Sequence, residues 1–280
     1  MKDEVLIVVG YDGGYGGSFF SNVLKRSLEN ESQELLPIND RNEFHFNNHV
    51  FDSVKYSIDL LADMYEKSSS FKFIDEFYQK KNDEEKSWLE FRKKIFMQCY
   101  DKDRSVFCEN LTSYFSKTLR LNSGYNIASI HYSRKFDGFS IHNIHKNVVF
   151  FLLKASDLKS HVLFDLLFDI KLDHFIYPEF VRKSYMSLRK MRQPMPFDSC
   201  HSIDVDHLFL KTKDYRFDLV ENVLSKALGK KISLDKEMIE NYSRLNVKLL
   251  NDFLNIDVEQ ASYKEVMLAA EIKLELLLWK

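Results

Sequence analysis

The order of the first three segments of the chain is the feature that most constrains the fold. A continuous aliphatic run, Val5–Val9, is followed by the glycine loop Gly10–Ser18, which holds five of the eight glycines in the 280 residues. Apolar residues then recur at helical spacing from Phe19 to Leu28. Such an aliphatic run is typical of a central strand in a parallel sheet, and the later spacing predicts an amphipathic helix with Ser18 as its N-cap. The order strand, glycine loop, helix predicts an α/β fold.

The glycine loop favours the binding of an anion. Glycine allows successive backbone N–H groups to approach a ligand closely, and the N-terminus of the following helix adds a partial positive charge. Phosphate or sulfate fits such a loop, whereas a tight turn without a ligand is the alternative that the sequence leaves open. We expect valine in place of Gly17 to abolish anion binding without unfolding the protein. The loop is not a Walker A motif, because Gly17 precedes Ser18 where that motif has lysine.

Composition argues against several classes of partner and site. The 40 basic and 42 acidic residues give a net charge of −2, so we expect no general attraction to nucleic acid or to a membrane. The three cysteines lack the spacing of a disulfide framework or a zinc site, and His131, His142 and His145 are irregularly spaced, so we expect no metal. The first aliphatic run is too short for a signal peptide, and no run is long enough to span a membrane. These features predict a cytoplasmic protein.

The glycine loop resembles the 5′-phosphosulfate loop of the sulfotransferase family. In that family a basic residue, then Ser-Gly-Thr/Ser and an aromatic residue or leucine, link the first strand to its helix. On this alignment Gly16–Phe20 occupy the loop, and Tyr15 stands where the family has the basic residue. The resemblance implies that the nucleotide is bound by Gly13, Gly14, Tyr15, Gly16, Gly17, Ser18 and Phe19.

Two later segments extend the resemblance to the middle of the chain. Asn126–His131 is similar to the short strand that ends in Thr-His in these enzymes, which implies that His131 is the catalytic base. Lys146–Ser160 is similar to the central strand that ends in arginine and leads into a helix carrying a serine. The resemblance implies that Lys154, in place of the arginine, and Ser160, which lies two residues early, hold the 3′-phosphate of the nucleotide.

A late strand, a late helix and a basic cluster complete the comparison. Residues 201–233 look like the family's late strand and a helix that ends in a Leu-Gly pair, with Gly229 as the glycine cap. After Pro178 the sequence carries Arg182, Arg189 and Arg192. These arginines are either the solvated face of a helix or, for Arg182 above all, a group that closes over the nucleotide phosphates.

The expected architecture is one domain over residues 1–280. It is a P-loop NTPase-like fold, with a mostly parallel sheet sandwiched by helices, a helical insertion at about 40–122 and C-terminal helices at about 234–279 that could also form a homodimer surface. The resemblance implies transfer of a sulfuryl group from 3′-phosphoadenosine 5′-phosphosulfate (PAPS) to a hydroxyl or amine of a small molecule or glycan, leaving adenosine 3′,5′-bisphosphate (PAP). The alternatives are a non-catalytic protein that binds a nucleotide or a partner and, with less support, a nucleotide kinase.

Overall fold

The computed structural model describes part of the chain. The described residues are 4–11, 16–29, 61, 64–65, 93–118, 124–131, 143–155, 160, 163–164, 167, 200–213 and 215–278. Most of the predicted helical insertion, as well as the basic cluster after Pro178, lies outside them.

Four strands form one sheet. They are β1 (Val5–Tyr11), β2 (Tyr125–His131), β3 (Val148–Lys154) and β4 (His201–Asp204). Their order across the sheet is β2-β1-β3-β4, and β3 pairs with β4 in parallel register from Phe151↔His201 to Lys154↔Asp204. Helices flank this parallel sheet, which confirms the α/β class. The predicted first strand is also confirmed, and every residue of β1 after Val5 is buried, as expected for a central strand.

Six helices have described bounds. They are α1 (Gly17–Glu29), α2 (Arg104–Thr118), α3 (Asp206–Phe209), α4 (Phe217–Leu228), α5 (Lys236–Leu254) and α6 (Tyr263–Leu278), and residues 93–99 are also helical. The predicted glycine cap is confirmed, because α4 ends at Gly229 with a φ of 63° in the left-handed region. None of the helices described here is both long and apolar enough to cross a membrane.

The chain divides into two compact units, residues 1–8 with 47–150 and residues 9–46 with 151–280. In the first unit, the N–H of Val5 donates to the carbonyl of Gly124 at 2.9 Å. Its aromatic core includes Phe107 of α2, which stacks on Tyr65 with the ring centroids 4.7 Å apart. The Asp103 carboxylate accepts a hydrogen bond from the N–H of Ser105 at 2.8 Å and so caps α2.

The second unit contains the end of β1, α1, the larger part of β3, β4 and helices α3 to α6. Helix α5 begins at the N-cap Asp235, whose carboxylate accepts from the N–H of Met238 at 3.0 Å, and it ends at Asn255 with a φ of 58°. The apolar residues Leu268, Ile272 and Leu276 of α6 are at least half exposed.

Candidate anion site at the glycine loop

The strand order places a topological switch point at the carboxyl end of β1. The chain leaves β1 for β2 at one edge of the sheet and leaves β3 for β4 at the other, although β1 and β3 are neighbours. In open parallel sheets, ligands bind where the connections from two adjacent strands diverge, outside the carboxyl ends of those strands. Here the two strand ends are Tyr11, which leads into the glycine loop, and Lys154. Both belong to the second compact unit.

Gly16 makes the turn from the loop into α1. Its φ is 63°, in the left-handed region that glycine adopts without strain, and its carbonyl accepts the N–H of Phe20 at 2.9 Å. Gly16 is therefore the N-cap residue. The prediction of Ser18 as the N-cap is wrong, because the helix starts at Gly17 and Ser18 lies inside it. Ser18 is the second residue of α1, and only its backbone is described.

The first turn of α1 can bind an anion through its backbone. The first N–H groups of any helix have no carbonyl partner within the helix, and the helix dipole places a partial positive charge there. In α1 these groups include the N–H of Gly17 and that of Ser18. A phosphate oxygen at the end of the glycine loop would therefore find donors that face out along the helix axis.

Aromatic side chains enclose the two glycines at this turn. A Cβ atom on Gly17 would lie 1.9 Å from Cδ1 of Tyr11, whose ring is buried. A Cβ atom on Gly16 would lie 2.9 Å from the hydroxyl oxygen of Tyr242 and 3.1 Å from Cε2 of Phe209. Both positions therefore require glycine for packing, in addition to any approach of a ligand.

Phe19 belongs to the same aromatic cluster. Its buried ring stacks on Tyr242, with centroids 4.2 Å apart and planes at 16°, and meets the edge of Phe209 at 5.9 Å. The sequence predicts Phe19 as a cofactor-binding residue. The position of the ring in the core means that a ligand contact would come from its backbone rather than from the ring.

Lys154 lies at the carboxyl end of β3 beside an acidic residue. Its Nζ is 3.9 Å from Oδ1 of Asp204, the register partner at the end of β4. The lysine side chain is 42% exposed, so the amine can be approached from solvent. Ion pairs this exposed are weak, and a phosphate could compete with Asp204 for the amine.

Ser160 has a different environment. It is completely buried, and its hydroxyl donates a hydrogen bond to the carboxylate of Asp206, the buried first residue of α3. Contact with a 3′-phosphate would require this hydroxyl to leave Asp206. Neither Asp204 nor Asp206 was predicted as a site residue, although both follow the alternating strand pattern at the point where a polar turn begins.

The remaining predicted site residues are described only in part. His131 is the last residue of β2 and belongs to the first compact unit, and the structure describes its backbone alone. Gly13, Gly14, Tyr15 and Arg182 lie outside the described residues. Their roles stay predictions.

The sequence also did not predict three aromatic neighbours of the loop, which are Tyr11, Phe209 and Tyr242. Tyr11 directly follows the aliphatic run of β1, which is a local signal for its position beside the loop. Tyr242 lies in an apolar pattern on α5 that predicts only packing. Nothing in the spacing pairs Tyr242 with Gly16, because the two are joined only by the tertiary fold.

Comparisons with known proteins do not assign a function, so the assignment is based on the chemistry of the site. The chain matches no family model, no curated protein and no solved structure. Within the described ranges, no three His, Cys, Asp or Glu side chains come together as a potential metal site.

Proposed function

We propose that the switch point between the carboxyl ends of β1 and β3 binds the phosphates of a nucleotide, in a P-loop NTPase-like fold, and that the protein is a sulfotransferase. The donor is PAPS, and the acceptor is a hydroxyl or amine of a small molecule or glycan. One observation carries the proposal: within one compact unit, the glycine turn follows β1 and Lys154 ends the neighbouring β3, and the connections from these two strands diverge.

The two ends of the nucleotide differ in the groups that would bind them. The 5′-phosphosulfate carries charge that suits the N–H groups of Gly17 and Ser18 at the start of α1. The 3′-phosphate suits the amine of Lys154, which supplies a point charge without the bidentate geometry of arginine. Binding at both ends would distinguish PAP from nucleotides that lack the 3′-phosphate.

The proposed reaction is a sulfuryl transfer. The acceptor oxygen or nitrogen attacks the sulfur, the bond between sulfur and the bridging oxygen of the 5′-phosphate breaks, and PAP leaves. By resemblance, the acceptor proton passes to the imidazole of His131. The N–H groups at the start of α1 stabilise the charge that develops on the departing phosphate.

A second candidate is a non-catalytic protein that binds a nucleotide or a partner at the same switch point. Both residues assigned to the 3′-phosphate already have an acidic partner, and this favours the non-catalytic candidate. Lys154 lies near Asp204, and the Ser160 hydroxyl donates a hydrogen bond to Asp206. Tyr15 also stands where the family has a fixed positive charge, and a phenol does not supply one.

Thermal unfolding with a panel of ligands tests the proposal. A ligand that binds the native state raises the melting temperature by mass action, and we expect PAP to raise it more than ATP with Mg²⁺ or GTP does. A larger shift with ATP and Mg²⁺ would contradict the proposal and indicate a kinase. A PAP shift without sulfuryl transfer to any member of a broad acceptor panel would favour the non-catalytic candidate.

Asparagine in place of Asp204 is expected to tighten the binding of PAP by about 1.4- to 5-fold, as measured by calorimetry. The substitution removes a negative charge that competes for Lys154, and exposed pairs of this kind contribute roughly 0.2–1 kcal/mol. Asp218→Asn is the matched control, because Asp218 is an exposed acid in the same unit that pairs with Arg216 at 2.9 Å. Unchanged or weaker binding in Asp204→Asn would show that Lys154 does not contact the ligand.

A further inference from the structure

Helix α6 is apolar on two opposite sides. One side is buried and consists of Val266, Met267 and Ala270. The other side carries a stripe of apolar residues that are spaced four apart and are each at least half exposed, namely Leu268, Ile272 and Leu276. A surface helix of a globular protein normally has apolar residues toward the core and charged or polar residues on the opposite face. The exposed stripe therefore indicates a surface that packs against another molecule.

Two charged side chains of α6 make their contacts within the chain. The Glu265 carboxylate accepts hydrogen bonds from the N–H and the hydroxyl of Ser262, at 2.7 and 2.8 Å, and so forms a capping box at the start of the helix. The Nζ of Lys273 lies over the ring of Phe253, 5.6 Å from its centroid. Neither contact requires a second molecule.

Two other charged side chains, Lys264 and Glu275, are exposed and lie along one edge of the stripe. They are eleven residues apart, which is about three helical turns, so they share a side of the helix and are separated by about 16 Å along its axis. When two copies pack antiparallel about a twofold axis, the same edge of both helices meets, and Lys264 of each copy comes opposite Glu275 of the other. A parallel pair would instead bring like charges to the same end. The charge pattern therefore fits an antiparallel pair of identical helices.

The charges of α6 do not fit a membrane surface. Helices that lie on anionic membranes are rich in lysine and arginine on their polar face. Helix α6 instead carries three acidic and two basic residues, which are Glu265, Glu271 and Glu275 against Lys264 and Lys273. An anionic surface would repel this helix on balance, whereas a second copy of the chain would not.

We propose that the exposed stripe of α6 is the interface of a homodimer, in which the α6 helices of two copies pack antiparallel. Side chains four residues apart form a ridge that fits into the grooves of a facing helix. Removal of the stripe from water drives association, and the two equivalent pairs of Lys264 with Glu275 set the direction of the helices. One helix from each copy makes a small interface, so we expect a weak, reversible dimer.

Sedimentation equilibrium of the full chain over a series of concentrations tests the proposal. The weight-average mass should rise with concentration from 33.3 kDa toward twice that value. Lysine in place of Ile272, at the centre of the stripe, should keep the mass at that of one chain and leave the circular dichroism spectrum unchanged, because the side chain is exposed. Leu219→Lys is the matched control, because Leu219 is an exposed leucine on α4 of the same compact unit, and it should dimerise like the unmodified chain.

Two results would overturn the proposal. One is an unmodified chain that stays monomeric at every concentration, and cosedimentation of that monomer with phosphatidylserine vesicles would assign the stripe to a membrane instead. The other is an Ile272→Lys variant that dimerises as tightly as the unmodified chain.

Charge reversal tests the antiparallel arrangement. Lys264→Glu or Glu275→Lys alone should raise the dissociation constant of the dimer by about two- to thirtyfold, because both equivalent ion pairs are lost. The double variant restores opposite charges and should restore the dissociation constant. Each change also suits the helix dipole, since it places an acid in the first turn or a base in the last, so weaker association would not come from a destabilised helix. A double variant that associates as weakly as the single variants would overturn the antiparallel arrangement.

Discussion

Valine in place of Gly17 is expected to destabilise the protein by about 3 kcal/mol and to lower its melting temperature by roughly 6 to 12 °C. The Cβ atom would lie 1.9 Å from the buried ring of Tyr11, so the ring or the start of α1 must move. The sequence alone predicts loss of anion binding in a folded variant. The structure corrects that expectation, because packing against Tyr11 requires glycine whether or not a ligand binds. Thermal and urea unfolding measure the effect.

Two comparisons separate this clash from a backbone effect. Gly229→Ala places a Cβ atom in open space at a left-handed φ of 63°, so it should destabilise by only about 1 kcal/mol. The loss of unfolding free energy caused by Gly17→Ala should be much smaller in the Tyr11→Leu background than in the unmodified chain, because the shorter side chain of leucine makes room for the Cβ atom. Equal destabilisation in both backgrounds would show that Tyr11 is not the reason for glycine at this position.

Alanine in place of His131 is expected to lower the rate of sulfuryl transfer by about 10² to 10⁴ while leaving the affinity for PAP nearly unchanged. The reason is that a general base acts on the acceptor proton and contributes little to nucleotide binding. The rate is followed in the forward direction, as PAP formed from PAPS in the presence of a panel of hydroxyl and amine acceptors.

His201→Ala is the control for this measurement. His201 is an exposed histidine at the start of β4, and its removal should change neither rate nor affinity. Equal rates for His131→Ala and the unmodified chain would remove His131 from the mechanism. A loss of PAP affinity that matches the loss of rate would place it in binding instead of chemistry.

The sequence predicted the elements whose signals are local. The aliphatic run before the glycines gave β1, helical spacing gave α1, and Gly229 marked the end of α4. Each depends on residues within a few positions of one another, where backbone preference and burial of one face act together.

The surroundings of the candidate site could not be predicted in the same way. Ser160 and Asp206 are 46 residues apart in sequence, and Lys154 meets Asp204 only because β3 and β4 pair in register. Phe19 appeared as a loop residue, whereas stacking on Tyr242 places its ring in the core. Ser243 and Asn246 on the buried face of α5 interrupt its apolar pattern, because Asn246 bonds the last residue of α3 and Ser243 bonds the chain just after it. Such contacts depend on tertiary packing, which spacing along the chain does not report.

The most direct test of the account is a titration of the ¹⁵N-labelled chain with PAP, following the backbone amide signals of Gly17 and Ser18. An anion bound at the N-terminus of α1 accepts hydrogen bonds from these N–H groups, so their signals should shift with the same dissociation constant that calorimetry gives. Lys154→Met should raise that dissociation constant, while the signals of the same two amides still shift on binding. Binding of PAP that leaves both amide signals unmoved would contradict the claim that the glycine turn is the anion site.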